Sequence, residues 1–240
     1  MIQENFIKIY EKSFKKNWEL PALTDYSKGT TFSFADVAKE IARIHILFEE
    51  CQIRRGDKIA LIGKDSARWC IVYMAAVTYG AIIVPILQDF SPNDVHHIIN
   101  HSESVFLFVS DRIWDTLEEE MIEDVRGVFS LSDFRCLHQR DGESIQKLLK
   151  GMDDIEYAEL DNDTVVLLNY TSGTTGFSKG VMLTGNNLAG NVMYGIELGV
   201  LYRGERELCF LPLAHAYSCA FNFLVPMAVG AHVYLLGKVP

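Results

Sequence analysis

Basic residues are scarce in this chain. Its 240 residues carry 22 Lys and Arg against 32 Asp and Glu, a formal net charge of −10. Nucleic acids and anionic membrane surfaces are polyanions held mainly by Lys and Arg, so neither is expected as a partner. Paired cysteines are lacking too: Cys51, Cys70, Cys136, Cys209 and Cys219 are odd in number and none shows Cys-x-x-Cys spacing. A disulfide framework and a cysteine zinc site are therefore not expected, and a reducing cytoplasm is the setting that fits. The N-terminus has no uninterrupted apolar core, because Glu4, Lys8, Glu11, Lys12, Lys15 and Lys16 interrupt it, so no signal peptide is read there. Internal repeats and low-complexity tracts are absent. With 49% hydrophobic and 22% charged residues, the composition is that of a folded globular chain.

Two stretches without Asp, Glu, Lys or Arg, Leu208 to Leu236 and Trp69 to Gln88, raise the question of a membrane span. The first contains Pro212, His215, Asn222 and Pro226, and the second is broken at Gly80 and Pro85. Both read as buried strands and helices of an α/β core, so no transmembrane span is expected.

Strand and helix signals alternate along the chain. Ser33-Phe34-Ala35-Asp36 has the form of a capping box, and Val37, Ile41, Ile44 and Phe48 recur at helical spacing to about Cys51. Lys58 to Ile62 reads as a strand, Ser66 to Tyr79 as a buried helix stopped by Gly80, and Ala81 to Val84 as a strand. A helix from Pro92 to Asn100, a strand from Val105 to Val109 and a charged helix from about Asp111 to Asp124 follow. Residues 132–162 are polar and irregular, which places a lobe boundary or surface excursion there. Beyond it, Thr184 caps a helix through Leu198, Glu207 to Leu211 forms a strand, His215 to Val229 a helix and His232 to Leu236 a last strand with an unpaired edge. The expected fold class is α/β, with mostly parallel sheets flanked by helices.

The densest chemistry lies in Tyr170-Thr171-Ser172-Gly173-Thr174-Thr175-Gly176-Phe177-Ser178-Lys179-Gly180. Glycines let a backbone approach a ligand closely, hydroxyls and free N–H groups donate to anionic oxygens, and Lys179 adds positive charge. The β-branched apolar runs Thr164 to Leu168 and Val181 to Leu183 flank it, giving strand, loop, strand. The stretch reads as a phosphate cradle. It is not a Walker loop, which needs glycine at 178 and Ser or Thr at 180, nor a dinucleotide fingerprint, which needs glycine at 171.

This loop is similar to the signature loop of the adenylate-forming (AMP-binding) enzymes, with Ser178 where the usual form has proline. Leu211-Pro212-Leu213-Ala214-His215-Ala216-Tyr217 resembles the next motif of that family, in the variant found among long-chain fatty acyl-CoA synthetases. Upstream, Gly56 to Leu61 and Gly80 to Pro85 resemble its early strand, helix, strand unit, so the resemblance covers nearly the whole chain. Later family motifs, including the segment that holds the ribose and the C-terminal adenylation lysine, do not occur before Pro240.

The resemblance implies residues 1–240 to be the front part of an adenylation domain, with a first lobe at about 1–155, a phosphate-loop lobe at about 160–240 and the C-terminal cap domain absent. It implies ATP phosphate contacts from Tyr170, Thr171, Ser172, Gly173, Thr174, Thr175, Gly176 and Lys179, with Thr171 also a Mg²⁺ ligand. His215, Ala216 and Cys219 would line an acyl pocket, and coenzyme A would be the co-substrate of a long-chain fatty acid ligase, with an adenylating relative acting on another carboxylic acid and a catalytically silent nucleotide- or protein-binding module as the alternatives. Peripheral membrane contact and a homo-oligomer stay open. His97 and His101, with Asp94 and His96 nearby, suggest a metal site only weakly; with no Glu or Cys to complete a ligand set, a solvated helix end is expected. Glu118-Glu119-Glu120 reads as a solvated face.

Overall fold

A computed structural model describes residues 4–122, 124–139, 156–171 and 178–237. In chain order the elements are α1 (Phe6–Lys16), β1 (Pro21–Asp25), β2 (Thr30–Ser33), α2 (Phe34–Glu50), β3 (Lys58–Ile62), α3 (Ala67–Tyr79), β4 (Ile82–Ile86), α4 (Pro92–His101), β5 (Ser104–Val109), α5 (Asp111–Trp114), β6 (Gly127–Ser130) and β7 (Cys136–Gln139). They continue with β8 (Val165–Thr171), β9 (Lys179–Thr184), α6 (Gly185–Leu198), β10 (Arg206–Cys209), α7 (Ala216–Ser218), a π-helical run Cys219–Leu224, α8 (Val225–Val229) and β11 (His232–Leu235).

Strand alternation builds the layers. Along β3, Ile59 and Leu61 pack into one apolar cluster with α2 and α3, while Ala60 and Ile62 pack into a second with Val95, Ile98 and Ile99 of α4. A strand buried on both faces needs apolar residues at every position, which is why these strands read as continuous runs. The larger sheet has the order β7-β6-β5-β3-β4-β8-β9, parallel from β6 through β8 with antiparallel strands at its ends. The smaller has the order β10-β11-β1-β2, parallel except for β2. Helix α3 is buried on nearly all sides and ends at Gly80, whose φ of 94° fits a left-handed cap that costs other residues a Cβ clash. The expected α/β class is the observed one. Each sheet takes strands from both sides of residues 155–160.

Several expected elements differ. The charged helix from Asp111 ends at Trp114, followed by a single 3₁₀ turn at Glu119–Met121. Beyond Trp114 the Glu118 N–H donates to Nε2 of buried His96 at 3.1 Å, which holds this stretch out of a continuous helix. Strand β4 runs on through Pro85 to Ile86, with Pro85 opposite Leu61 of β3 in the parallel register, while its pairing with β8 is confined to Ile83 and Leu167. The last strand, β11, is not an edge: it lies between β10 and β1, because the N-terminal β1, unread in the sequence, returns to pair with it. The strand expected over Glu207 to Leu211 spans Arg206–Cys209. The helix expected over His215 to Val229 is α7, the π run and α8; Pro226 has no N–H for the Asn222 carbonyl, which favours the wider winding. Among the described residues no helix is long and apolar enough to cross a membrane.

Candidate functional site

Antiparallel β8 and β9 form the stem of the Gly/Ser/Thr loop. Their ladder ends on the pairs Tyr170↔Gly180 and Thr171↔Lys179. Thr171 and Lys179 are both exposed, which sets a hydroxyl and an ammonium opposite each other at the mouth of the loop. That pair fits an anionic oxygen ligand, and Lys179 makes no ion pair with another described residue. Ser172, Gly173, Thr174, Thr175 and Gly176 lie outside the described residues, so their predicted roles carry over to the proposal below.

Tyr170 is the buried member of the set, 5% exposed, and burial pushes its hydroxyl pKa up. Its ring covers Gly180 so closely that a Cβ there would sit 3.1 Å from Cζ, which explains a small residue at that rung. The hydroxyl meets Nδ1 of His101, at the end of α4, at 2.7 Å with the two rings edge to face. This contact ties the loop stem to the helix beside it. His101 is therefore a partner of Tyr170, while its ring lies 5.5 Å from that of His97. Among the described residues no group of three or more His, Cys, Asp or Glu could hold a metal ion.

The second motif follows β10 as a turn. The Leu213 N–H lies 3.2 Å from each oxygen of Asp65, which sits between β3 and α3. Burial raises the Asp65 pKa to about 6, and the bond from Leu213 opposes that rise. Ser218 Oγ donates to the Leu211 carbonyl at 3.0 Å, and the His215 N–H to that of Pro212 at 3.0 Å. His215 and Ala216 emerge exposed at the start of α7, whereas Cys219 is 4% exposed and faces the core, its thiol pushed up to about 12 by burial. His215 and Ala216 thus share a surface that Cys219 does not reach. Asp65 was not singled out from the sequence, although it directly precedes the Ser66 cap of α3, and His101 was weighed there only as a weak metal candidate, not as a partner of Tyr170.

Helix α6 joins the two motifs, packing on β9 at one side and on the π run at the other. Where it meets that run, a groove of about 600 Å³ opens, walled by Tyr194 and Leu198 of α6, Leu208 of β10, and Tyr217 and Phe221. The Tyr217 and Phe221 ring centroids are 5.1 Å apart. Its rim is apolar and exposed, with Tyr194 at 56%, Leu198 at 51% and Tyr217 at 66%. The groove begins two residues after His215.

The family model described as AMP-binding enzyme matches residues 10–240. The long-chain-fatty-acid–CoA ligase FadD15 of Mycobacterium bovis is 28% identical over 202 residues, covering 80% of this chain and 33% of that protein. The 4-coumarate–CoA ligase CCL1 of Humulus lupulus is 26% identical over 228 residues, 91% of this chain and 40% of the relative. Apo MatB from Rhodopseudomonas palustris superposes with a TM-score of 0.80 at 18% identity, over 99% of this chain and 46% of that structure. The chain thus spans less than half the length of these proteins.

Proposed function

Because the chain belongs to the AMP-binding enzyme family over residues 10–240, we propose that it is the front part of an ATP-dependent acid–thiol ligase acting on a long-chain fatty acid. A substrate carboxylate attacks the α-phosphate of ATP, the bond to the β-phosphate breaks and pyrophosphate leaves. The thiol of coenzyme A then attacks the acyl carbon and AMP departs. Pyrophosphate carries the charge that develops in the first step, so donors fixed around the phosphates lower its barrier. The stem of β8 and β9 supports this role, since it presents Thr171 and Lys179 across one rung. Tyr170, Ser172, Gly173, Thr174, Thr175 and Gly176 complete the phosphate cradle in this reading. Thr171 would hold a Mg²⁺ ion, which when bound supplies charge neutralisation to the phosphates.

For the acid, His215 and Ala216 face the substrate carboxylate and the adjacent apolar groove receives the chain. Cys219 acts from beneath, as packing behind that wall. The cytoplasm is the proposed location. The observation that carries the reading is the loop stem with its paired Thr171 and Lys179. ATP–pyrophosphate exchange by the full-length protein, measured over aliphatic, aryl and amino acids, tests it: exchange driven by long-chain fatty acids is expected, and exchange that requires an amino acid overturns the substrate.

A further inference from the structure

The apolar groove beside α7 contains a carboxylate that the phosphate chemistry does not use. Glu207 projects from β10 into it and is half-buried, and burial pushes its pKa up. Its Oε1 accepts from Asn222 Nδ2 at 2.5 Å, and among the described residues it has no ion pair. Arg206, its neighbour in the strand, is exposed at the rim. Asn222 lines the same groove, and its Oδ1 is buried with no partner among the described residues. An ionised carboxylate only accepts, so the amide nitrogen must face Glu207 and the amide oxygen must point away from it. One charged acceptor, Glu207, thus stands in an apolar wall with a single donor, Asn222, whose own Oδ1 is buried behind it, and a carboxylate is costly to dry without a second donor.

A plain hydrocarbon chain makes this worse, because it removes water from Glu207 and returns no hydrogen bond. A ligand with an O–H or N–H on an otherwise apolar body supplies that second donor. We propose that this groove selects a carboxylic acid whose apolar tail carries a hydrogen-bond donor, a hydroxyl or a primary ammonium, read by Glu207 as Asn222 holds it in place. The carboxylate of that ligand rests on the acid-activating reading; the groove and its acceptor Glu207 do not. Discrimination of this kind is steep, because an analogue without the donor leaves the site's polar groups unpaired.

The test measures binding to the 240-residue chain by isothermal titration calorimetry and ligand-observed NMR. The acid probes are decanoate, 6-hydroxydecanoate, 10-hydroxydecanoate and 10-aminodecanoate; 1-hexanol and 1,6-hexanediol form a pair without a carboxylate. At least one donor-bearing acid is expected to bind about tenfold more tightly than decanoate, the size of one hydrogen bond to a charged acceptor. Glu207→Gln, which keeps the shape, and Asn222→Leu should each reduce that advantage to about twofold or less. The hydroxyl and ammonium arms distinguish the two donors. A donor preference in the alcohol pair with no binding of any acid keeps the groove's chemistry and sinks the acid-activating reading instead. No donor preference in either series, or no binding of any probe, overturns the inference.

Discussion

Asp65→Asn is expected to stabilise the protein at neutral pH. The Asp65 carboxyl accepts the Leu213 N–H but makes no ion pair among the described residues, and its pKa is raised to about 6 from an ordinary 3.8. Below pH 3.8 the group is protonated in both folded and unfolded chains and costs nothing. Between 3.8 and 6 the unfolded chain gives up its proton while the folded chain keeps it, so stability falls as pH rises. Above 6 the folded chain carries a desolvated charge, and the gap corresponds to about 3 kcal/mol at about 1.36 kcal/mol per tenfold. Asparagine keeps an oxygen for Leu213 and cannot ionise. Urea denaturation should therefore find the variant about 2–3 kcal/mol more stable than wild type at pH 7.5, with the difference shrinking to near zero at pH 4. A difference that stays constant across this range, or a variant less stable at pH 7.5 than wild type, would refute the electrostatic account of the turn.

Three further outcomes follow from local geometry. Tyr170→Phe removes the 2.7 Å bond to His101 and should cost about 0.5–1.5 kcal/mol; a double-mutant cycle with His101→Ala should return most of that as coupling. Gly195→Ala would normally favour a helix, but the new Cβ would lie 2.5 Å from Val225 Cγ2, so calorimetry should show a lower Tm and a loss of about 1–3 kcal/mol. Ser33→Ala removes the arm of the capping box in which Ser33 Oγ accepts the Asp36 N–H, while the Ser33 N–H keeps its bond to Asp36, and should cost about 1 kcal/mol in the same measurement.

What the sequence revealed was local. The Ser33 and Asp36 cap with its helical periodicity, the β3, α3, β4 unit stopped by Gly80, and the stem of β8 and β9 were all legible, because each depends on residues a few positions apart. The smaller sheet was not, since β11 pairs with β1 across some two hundred residues and neither strand alone announces its neighbour. The burial of Cys219 beneath the exposed His215 and Ala216 was not legible in the motif, because it depends on which face of α7 and the π run packs on the core. The bond from Leu213 to Asp65 and the pair of Glu207 with Asn222 join separate elements, so only the folded chain brings them together.

The central claim is that the loop between β8 and β9 binds the phosphates of ATP in an acid-activating reaction. Carboxylic acid-dependent ATP–pyrophosphate exchange, compared between the full-length protein and its Lys179→Ala variant, tests it most directly. The account predicts exchange in the wild type and a fall of about 10²–10³-fold in the variant, the cost of removing one preorganised charge-stabilising donor. Equal exchange in the two proteins, or none with any acid, would contradict it.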